Sequence, residues 1–332
     1  MKQFLLVIFI FGLILFGGVW WWKNNSQPAS PDKDLVSFVI PRGTSAVAIG
    51  NKLKSASLIK NPLAFKIYVQ LTGKQKSIQA GEYRLTGSYS LSKLVSMLVS
   101  GPEEVWVTIP EGLRKEEIAE RFIAVLGKKG QEAEDFRTEF LSLTKDKEGY
   151  LFPDTYLFAP ASTAQSVVNR MLALFEKQVD SEIRKSITES EYSFEEVIIL
   201  ASLLERETKS VEEKPTVAGI IYKRLEADWP LQIDASVQYA VANQKLKTQL
   251  SSEIKYWEGL SKDNLAISSP YNLYKLRGLP PTPVCNPGLI TIKAAANPTD
   301  SDYWFYIHDK EGKIHYASTI EEHNLNVAKY LR

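Results

Sequence analysis

Two glutamates at the end of an apolar segment are the strongest candidates for chemistry in this sequence. The segment SFEEVIILASLLERET begins at Ser193, which predicts a capping box with Glu196 at the start of a helix. The run Val197–Leu204 is almost entirely apolar, as is typical of a helix buried on all sides. Glu205 and Glu207 follow while the helix still continues. Partial desolvation at such a position raises the pKa of a carboxyl group, which suits a general acid.

The spacing of the two glutamates prevents them from acting on the same bond. At 3.6 residues per turn, side chains two positions apart point about 200° away from each other. Glu205 and Glu207 therefore continue different apolar stripes of the helix, and periodicity alone does not choose between them. The alternative interpretation is that both are solvated or ion-paired residues at a helix end.

Composition excludes several classes of function. The chain has 332 residues and a formal net charge of +1, which leaves room for two or three modest domains and gives no indication of nucleic-acid binding. Cys285 is the only cysteine, so no intrachain disulfide can form. The three histidines, His308, His315 and His323, match no zinc signature, and no P-loop or Rossmann fingerprint is present. The sequence therefore predicts neither a metal nor a cofactor.

The amino terminus predicts a membrane anchor. Phe4–Trp22 contains no charge and approaches the ~20 residues that a helix needs to span a bilayer. It ends in three tryptophans and Lys23 instead of the small residues of a cleavage site. We expect residues 1–23 to be an uncleaved single-pass anchor in the cytoplasmic membrane, with the amino terminus on the cytoplasmic side and the catalytic domain on the outer side. The polar residues 24–35 are expected to be a linker.

A weak internal repeat organises the next part of the chain. The segments 38–53 and 107–122 share the pattern Ile-Pro-x-Gly, and each predicts a short strand, a turn and a helix, with Thr44 as a plausible cap in the first copy. Between them, Gly81 opens a strand, and Ser90 caps a helix that Gly101 closes. Small strand–helix–helix units of this kind resemble LysM modules, which bind N-acetylglucosamine polymers. We therefore expect residues 36–105 to be a LysM-like subdomain; the alternative is a simple spacer.

The carboxyl-terminal half predicts helices separated by a long irregular segment. Lys214–Leu225 has helical periodicity, and Gln232 and Asp234 lie just before another helix, where capping explains Asp234 adequately. The proline-rich segment 268–288 is long enough to suggest a functional loop, and we expect it to form a wall of a cleft. A short helix should follow it at 290–296, and then a β-hairpin and a terminal helix.

Several of these motifs together resemble one family, the membrane-anchored endolytic murein transglycosylases of the YceG-like type. The resemblance covers nearly the whole chain. The matching motifs are GEYRL, IPEG, EGYLFPDTY, ILASLLERET, LQIDASVQY, SPYNLYKLRGLPP, NPG and KAAANP. Thr282 and Asn297 depart from residues that are common in the family.

The resemblance implies an α+β fold in which the LysM-like subdomain precedes a catalytic domain at 106–332. It also implies that Glu205, and not Glu207, is the catalytic glutamate. A lytic transglycosylase needs one carboxyl group, because the C6 hydroxyl of the substrate acts as the nucleophile, whereas other glycosidases use two carboxyl groups. On this interpretation Glu205 first protonates the β-1,4 oxygen between N-acetylmuramic acid and N-acetylglucosamine and then deprotonates the hydroxyl, which leaves a 1,6-anhydro end. We name Gln232, Asp234, Tyr271 and Asn272 as candidates for binding the glycan.

Two alternatives remain open at this stage. One is a hydrolase of the same bond, with Asp234 as the second carboxylate that holds a water molecule. The other is a non-enzymatic scaffold that binds peptidoglycan and recruits cell-wall synthases. The resemblance further implies activity on nascent, uncrosslinked strands close to the membrane, a limit on strand length, and cell-wall synthases (penicillin-binding proteins) as neighbours.

Overall fold

The chain folds into two compact units of mixed helix and sheet. The computed structural model describes residues 2–41, 43–102 and 104–331, without the side chains of residues 2–8, 10, 11 and 14. The first unit is Met1–Val105 with Leu157–Ser162, and the second is Trp106–Tyr156 with Thr163–Arg332. Helices and small two-stranded sheets confirm the predicted α+β class. The predicted domain boundaries stay a prediction.

The first unit contains a strand–helix–helix–strand arrangement. Its elements are α1 (Lys2–Asn25), β1 (Val36–Ile40), α2 (Ala46–Ser55), α3 (Pro62–Leu71), β2 (Gly81–Leu85) and α4 (Leu91–Ser100). β1 and β2 pair antiparallel, with Phe38 opposite Tyr83. Both of these side chains, together with Phe65 of α3 and Leu94 of α4, belong to one buried core. The helix after the first Ile-Pro-x-Gly turn is capped by Ser45 and not by Thr44, whose hydroxyl donates to Pro41 instead.

The predicted anchor, Phe4–Trp22, falls within α1. Many of its apolar side chains, those of residues 4–8, 10, 11 and 14, lie outside the described part of the chain. Among the helices as described, none is both long and apolar enough to cross a membrane.

The end of α1 and the segment that follows it contact the rest of the first unit through ring stacking and hydrogen bonds. The ring of Trp22 stacks on Tyr68 with centroids 6.0 Å apart. Ala29 and Ser30 donate backbone hydrogen bonds to Gly87. The hydroxyl of Thr86 donates to the carbonyl of Asp32. The stretch predicted as a linker, 24–35, is therefore bound along part of its length to the unit that follows it.

The second unit is mainly helical. Its elements are β3 (Val105–Thr108), α5 (Lys115–Val125), α6 (Gln131–Leu143), β4 (Thr155–Phe158), α7 (Ala164–Gln178), α8 (Ser181–Glu189), α9 (Phe194–Glu207), α10 (Lys214–Glu226), α11 (Asp234–Lys245), α12 (Lys262–Leu265), α13 (Leu289–Ala296), β5 (Phe305–His308), β6 (Ile314–Ala317) and α14 (Ile320–Tyr330). β3 pairs with β4, and β5 pairs with β6 in an antiparallel hairpin. Most of the segment 268–288 is irregular, as predicted.

The second unit is built around α9. The capping box is present: Ser193 Oγ accepts a hydrogen bond from the Glu196 amide, and Glu196 accepts one from the Ser193 amide at 2.8 Å. Every residue of Val197–Leu204 is buried, which confirms the predicted all-round burial. α8, α10, α11 and α13 pack against it. Because so many elements surround the helix, the position of its last turn is fixed by packing from several directions.

Candidate active site

The last turn of α9 presents two carboxyl groups to different surroundings. Glu205 faces the beginnings of α10 and α13, and Glu207 faces the β5–β6 hairpin. The two side chains therefore lie in separate places, as their spacing predicts. Thr208 ends the helix with extended backbone, and its hydroxyl donates to the Leu204 carbonyl at 2.7 Å.

Glu205 is held by three donors. Its Oε2 accepts a hydrogen bond of 2.8 Å from the Gly288 amide and one of 2.6 Å from the Thr291 hydroxyl, both at the amino-terminal end of α13. Its Oε1 lies 3.0 Å from the ammonium of Lys214, the first residue of α10. The side chains of Glu205 and Lys214 are only 11% and 9% exposed. All three contacts hold the carboxyl group in one orientation, between the beginnings of two helices.

A cavity of about 530 Å³ lies beside Glu205. It is lined by Glu111, Phe152, Pro153, Asp154, Gln178, Glu205, Thr208, Lys209, Ser210, Val211, Lys214, Gly288, Leu289, Ile290 and Thr291. The cavity therefore brings together four motifs noted in the sequence, IPEG, FPDT, ERET and NPG. Sequence reasoning quoted these motifs without assigning a role to Glu111, Asp154, Lys214 or Thr291.

Two glycines allow the loops to approach one another at this cavity. A Cβ at Gly288 would lie 2.6 Å from Cγ of Glu111, so only glycine fits between that side chain and α13 without a shift. Gly112 adopts φ +77°, and a Cβ there would meet the guanidinium of Arg206 at 3.2 Å. The first glycine explains the NPG motif and the second explains IPEG, because each position needs a residue without a Cβ.

Asn286 fastens these loops to each other. Its Oδ1 accepts hydrogen bonds of 2.9 Å from the amides of both Gly149 and Leu151. Its Nδ2 donates to the Leu113 carbonyl at 3.0 Å and to Glu148 Oε1 at 2.7 Å. Burial, with a smaller contribution from the charge of Glu116, raises the pKa of Glu148 to about 8. A single buried amide thus connects IPEG, EGYLFPD and NPG.

Glu207 has the surroundings that suit a proton donor. Burial raises the pKa of Glu207 to about 7, and the negative charge of Asp234 adds to the effect. The hydroxyl of Tyr306 opposes the rise by donating a 2.8 Å hydrogen bond to Oε2, and the positive charges of Arg224 and Arg206 also oppose it. A carboxyl group with this pKa exchanges its proton near neutral pH, as an acid–base catalyst must.

Asp234 does not cap the helix at whose start it lies, so the capping interpretation was wrong. The N-cap of α11 is Ile233, and Asp234 is the first helical residue. Its Oδ1 accepts a 2.6 Å hydrogen bond from the hydroxyl of Tyr274. Burial and the neighbouring charges of Asp234 and Glu207 raise the pKa of Tyr274, so this hydroxyl keeps its proton and acts as a donor. Tyr274 belongs to the SPYNLY motif but was missed as a site residue.

Three other predicted glycan-binding residues have different surroundings. Gln232 is exposed and has an unusual φ of +53°, with its amide bonded to the Leu273 carbonyl. Asn272 is 0% exposed, and its amide side chain bonds the carbonyls of Leu265 and Ile267 within its own loop. The Tyr271 hydroxyl bonds Thr282 at 2.8 Å. Neither these three nor Asp234 is among the described residues that line the cavity beside Glu205. Strained backbone such as that of Gln232 is often found at functional positions.

Comparison with known proteins identifies the family. Residues 38–329 match the model of the YceG-like family. A protein of Streptococcus pneumoniae (strain D39) named endolytic murein transglycosylase is 31% identical over 99% of this chain, and the chain spans 65% of that relative's length. A protein of the same name from Bacillus subtilis (strain 168) is 29% identical over 96% of this chain and 91% of its own length.

A solved structure agrees with the sequence comparison. The crystal structure of a Listeria monocytogenes protein described as yceG-like has a TM-score of 0.56 and 28% identity, covering 89% of this chain and 99% of its own. The family match extends from β1 to α14 and includes both glutamates of α9. On this basis the chain belongs to the YceG-like family.

Proposed function

We propose that this protein is an endolytic murein transglycosylase that cleaves the bond between N-acetylmuramic acid and N-acetylglucosamine and leaves 1,6-anhydro ends. Membership of the YceG-like family and the names of the relatives from S. pneumoniae and B. subtilis support the reaction class. The observation that carries the proposal is the carboxyl group of Glu205 at the end of the central helix α9, which is only 11% exposed and lies in a cavity of about 530 Å³.

We assign the proton transfers to Glu205, as the family resemblance implies. A transglycosylase needs one group that first donates and then accepts a proton. Glu205 lies in a cavity of about 530 Å³, where the Gly288 amide, the Thr291 hydroxyl and the Lys214 ammonium fix its carboxyl group. Glu207 stays the competing candidate, since burial raises its pKa to about 7.

The proposed reaction returns the enzyme to its starting state. Glu205 donates its proton to the glycosidic oxygen, and the bond from that oxygen to C1 of N-acetylmuramic acid breaks. The C6 hydroxyl of the same sugar then attacks C1, while Glu205, now a carboxylate, takes the hydroxyl proton. One bond is broken and one is formed, water is not consumed, and Glu205 is protonated again. The Gly288 amide and the Thr291 hydroxyl hold the carboxyl group in place through both steps.

The hydrolase alternative would use Asp234 as the second carboxylate, since other glycosidases act with two carboxyl groups. Asp234 is not among the described residues that line the cavity beside Glu205. We favour the transglycosylase for this reason and because the named relatives belong to that class.

The location and the accessory unit are proposed on sequence grounds. We propose that residues 1–23 anchor the protein in the cytoplasmic membrane with the catalytic domain outside, near cell-wall synthases, where cleavage limits the length of nascent strands. The strand–helix–helix–strand order of the first unit supports a LysM-like module. Whether this unit binds glycan is a separate question from its fold, and we propose that it does.

Product analysis tests the proposal. The full-length protein in detergent is incubated with uncrosslinked glycan strands, and mass spectrometry records the ends of the products for wild type, Glu205→Gln and Glu207→Gln. We expect anhydro ends from wild type and from Glu207→Gln, at a reduced rate in the variant, and none from Glu205→Gln. Reducing ends would indicate the hydrolase, and intact strands in every sample would favour the scaffold. Loss of product only in Glu207→Gln would move the catalytic role to Glu207.

A further inference from the structure

The loop between α9 and α10 forms one wall of the cavity beside Glu205. Residues 208–211 of this loop line the cavity, and α10 begins shortly afterwards at Lys214. The Lys214 ammonium lies 3.0 Å from Oε1 of Glu205 and 2.9 Å from the hydroxyl of Thr208. The conformation of the loop therefore determines where this ammonium lies relative to the carboxyl group of Glu205.

A single buried side chain folds the loop back on itself. Glu213, which is only 4% exposed, directly precedes α10, and its Oε1 accepts hydrogen bonds from the amides of both Lys209 and Ser210, the latter at 2.9 Å. These two residues lie outside the helices and strands, so their amides need acceptors from elsewhere. A carboxyl group accepts hydrogen bonds through two oxygens, so Oε2 remains for a third partner.

The terminal hairpin supplies that partner and contacts both ends of the loop. Tyr306 and His308 are two positions apart in β5, so their side chains project from the same face of the strand. The Tyr306 hydroxyl donates to Glu207 at 2.8 Å, directly before the loop. Nε2 of His308 lies 3.2 Å from Oε2 of Glu213, at the end of the loop, and the His308 side chain is 12% exposed. The hairpin thus contacts a carboxyl group on each side of the loop.

We infer that Glu213 is a positioning residue for the reaction: together with His308 it fixes the loop that brings Thr208 and Lys214 to Glu205. The inference rests on the proposed function, because it needs Glu205 as the acid. Glu213 is not among the described residues that line the cavity, so its effect on the reaction passes through the loop. Displacement of reacting groups by about 1 Å can reduce a rate by ~10²-fold, so the position of this loop matters for turnover.

Substitutions of Glu213 test the inference in the full-length protein in detergent, with uncrosslinked glycan strands and below the unfolding temperature of every variant. Glu213→Ala removes the acceptor of both amides and should reduce kcat for anhydro-end formation at least ~10-fold. Glu213→Gln keeps an oxygen for the amides and a polar group facing His308, so its kcat should stay within about threefold of wild type. Glu212→Ala is the matched control, because Glu212 is exposed and does not line the cavity; it should leave kcat unchanged. Equal losses in Glu213→Ala and Glu213→Gln, or no loss in either, would overturn the inference.

A double-variant cycle tests the part assigned to His308. His308→Ala should reduce kcat severalfold, because Glu213 loses the contact that fixes its second oxygen. If His308 acts through Glu213, adding His308→Ala to Glu213→Ala should cause no further loss. Losses that multiply in the double variant would mean that His308 acts by another route, and they would overturn this part of the inference.

Hydrogen exchange separates failure of this inference from failure of the proposed function. The amides of Lys209 and Ser210 should exchange at least ~10-fold faster in Glu213→Ala than in wild type, and Glu213→Gln should restore most of the protection. Equal exchange in wild type and Glu213→Ala would overturn the positioning role while the transglycosylase activity stands. Faster exchange in Glu213→Ala together with intact glycan strands in wild type would do the reverse, since the loop would depend on Glu213 in a protein without the proposed activity.

Discussion

The hydroxyl of Tyr306 donates a 2.8 Å hydrogen bond to Glu207 and joins the first strand of the terminal hairpin to the last residue of α9. Burial and the charge of Glu207 raise the pKa of Tyr306 well above its ordinary value, so this phenol keeps its proton. Arg224 supports the same strand, since its guanidinium donates to the Trp304 carbonyl at 2.9 and 2.6 Å. The hairpin therefore fixes the carboxyl group of Glu207, the competing candidate for the acid.

Removal of this hydroxyl should shift the pH at which Glu207 ionises. Burial raises the pKa of Glu207 to about 7, and the Tyr306 hydrogen bond opposes this rise. Tyr306→Phe should therefore move the ionisation to higher pH by about one unit. Urea unfolding between pH 5 and 9 measures the shift, since ionisation of Glu207 changes the free energy of unfolding. A pH profile that the substitution leaves unchanged would contradict the prediction.

Glu207 should also make the folded state less stable at higher pH. Its pKa is about 7 in the folded protein and 4.5 ordinarily, so the folded state binds the proton more tightly than the unfolded chain. The free energy of unfolding should therefore fall by about 3 kcal/mol as the pH rises from about 4.5 to 7, and this term should be nearly constant above about pH 8. Glu207→Gln cannot ionise and should remove this fall. Urea unfolding at pH 5 and pH 8 measures the free energy of unfolding of wild type, of Glu207→Gln and, as the comparison, of Glu205→Gln. An equal fall between the two pH values in wild type and Glu207→Gln would contradict the prediction.

Local patterns in the sequence predicted much of the second half of the chain. The capping box at Ser193, the buried run Val197–Leu204 and the hairpin each depend on residues close in sequence, so periodicity and capping rules were sufficient. The capping interpretation of Asp234 was wrong because the tyrosine that binds this carboxylate lies 40 residues later in the chain. No local pattern contains that contact.

The environments of the two glutamates could not be predicted from sequence for the same reason. The apolar run before them predicted that a carboxyl group is desolvated, but it did not indicate which of the two. Gly288, Thr291 and Lys214 come to Glu205 from two other helices, and Tyr306 comes to Glu207 from a strand 99 residues away. The structure thus gives the raised pKa to Glu207 and the larger cavity to Glu205.

The ion pair between Lys214 and Glu205 should make a measurable contribution to stability. The Lys214 ammonium also bonds the Thr208 hydroxyl at 2.9 Å, so it connects α10 to the end of α9. Lys214→Met leaves a largely buried carboxylate without its cation and should cost about 2–3 kcal/mol of unfolding free energy. Adding Glu205→Gln should recover at least half of this loss. Urea unfolding of the single and double variants gives the coupling energy, and simple additivity would mean that the pair contributes little.

Asn286 should be the most sensitive polar residue of the loops around the cavity. Asn286→Ala removes the four hydrogen bonds to Gly149, Leu151, Leu113 and Glu148 and leaves buried amides without acceptors. Because unsatisfied buried groups keep their desolvation cost, we expect a loss of about 3 kcal/mol in the free energy of unfolding.

Asn297→Ala provides the control for this loss. Asn297 is exposed, and its side chain makes a single hydrogen bond, to the Lys293 carbonyl at 3.1 Å, so its removal should cost less than about 0.5 kcal/mol. Chemical unfolding measures both variants. Cleavage assays in the folded range should show a further effect of Asn286→Ala, because the loop that carries Gly288 and faces Glu111 begins at this residue. Equal stability of the two variants would mean that these loops are held by packing and not by the buried amide.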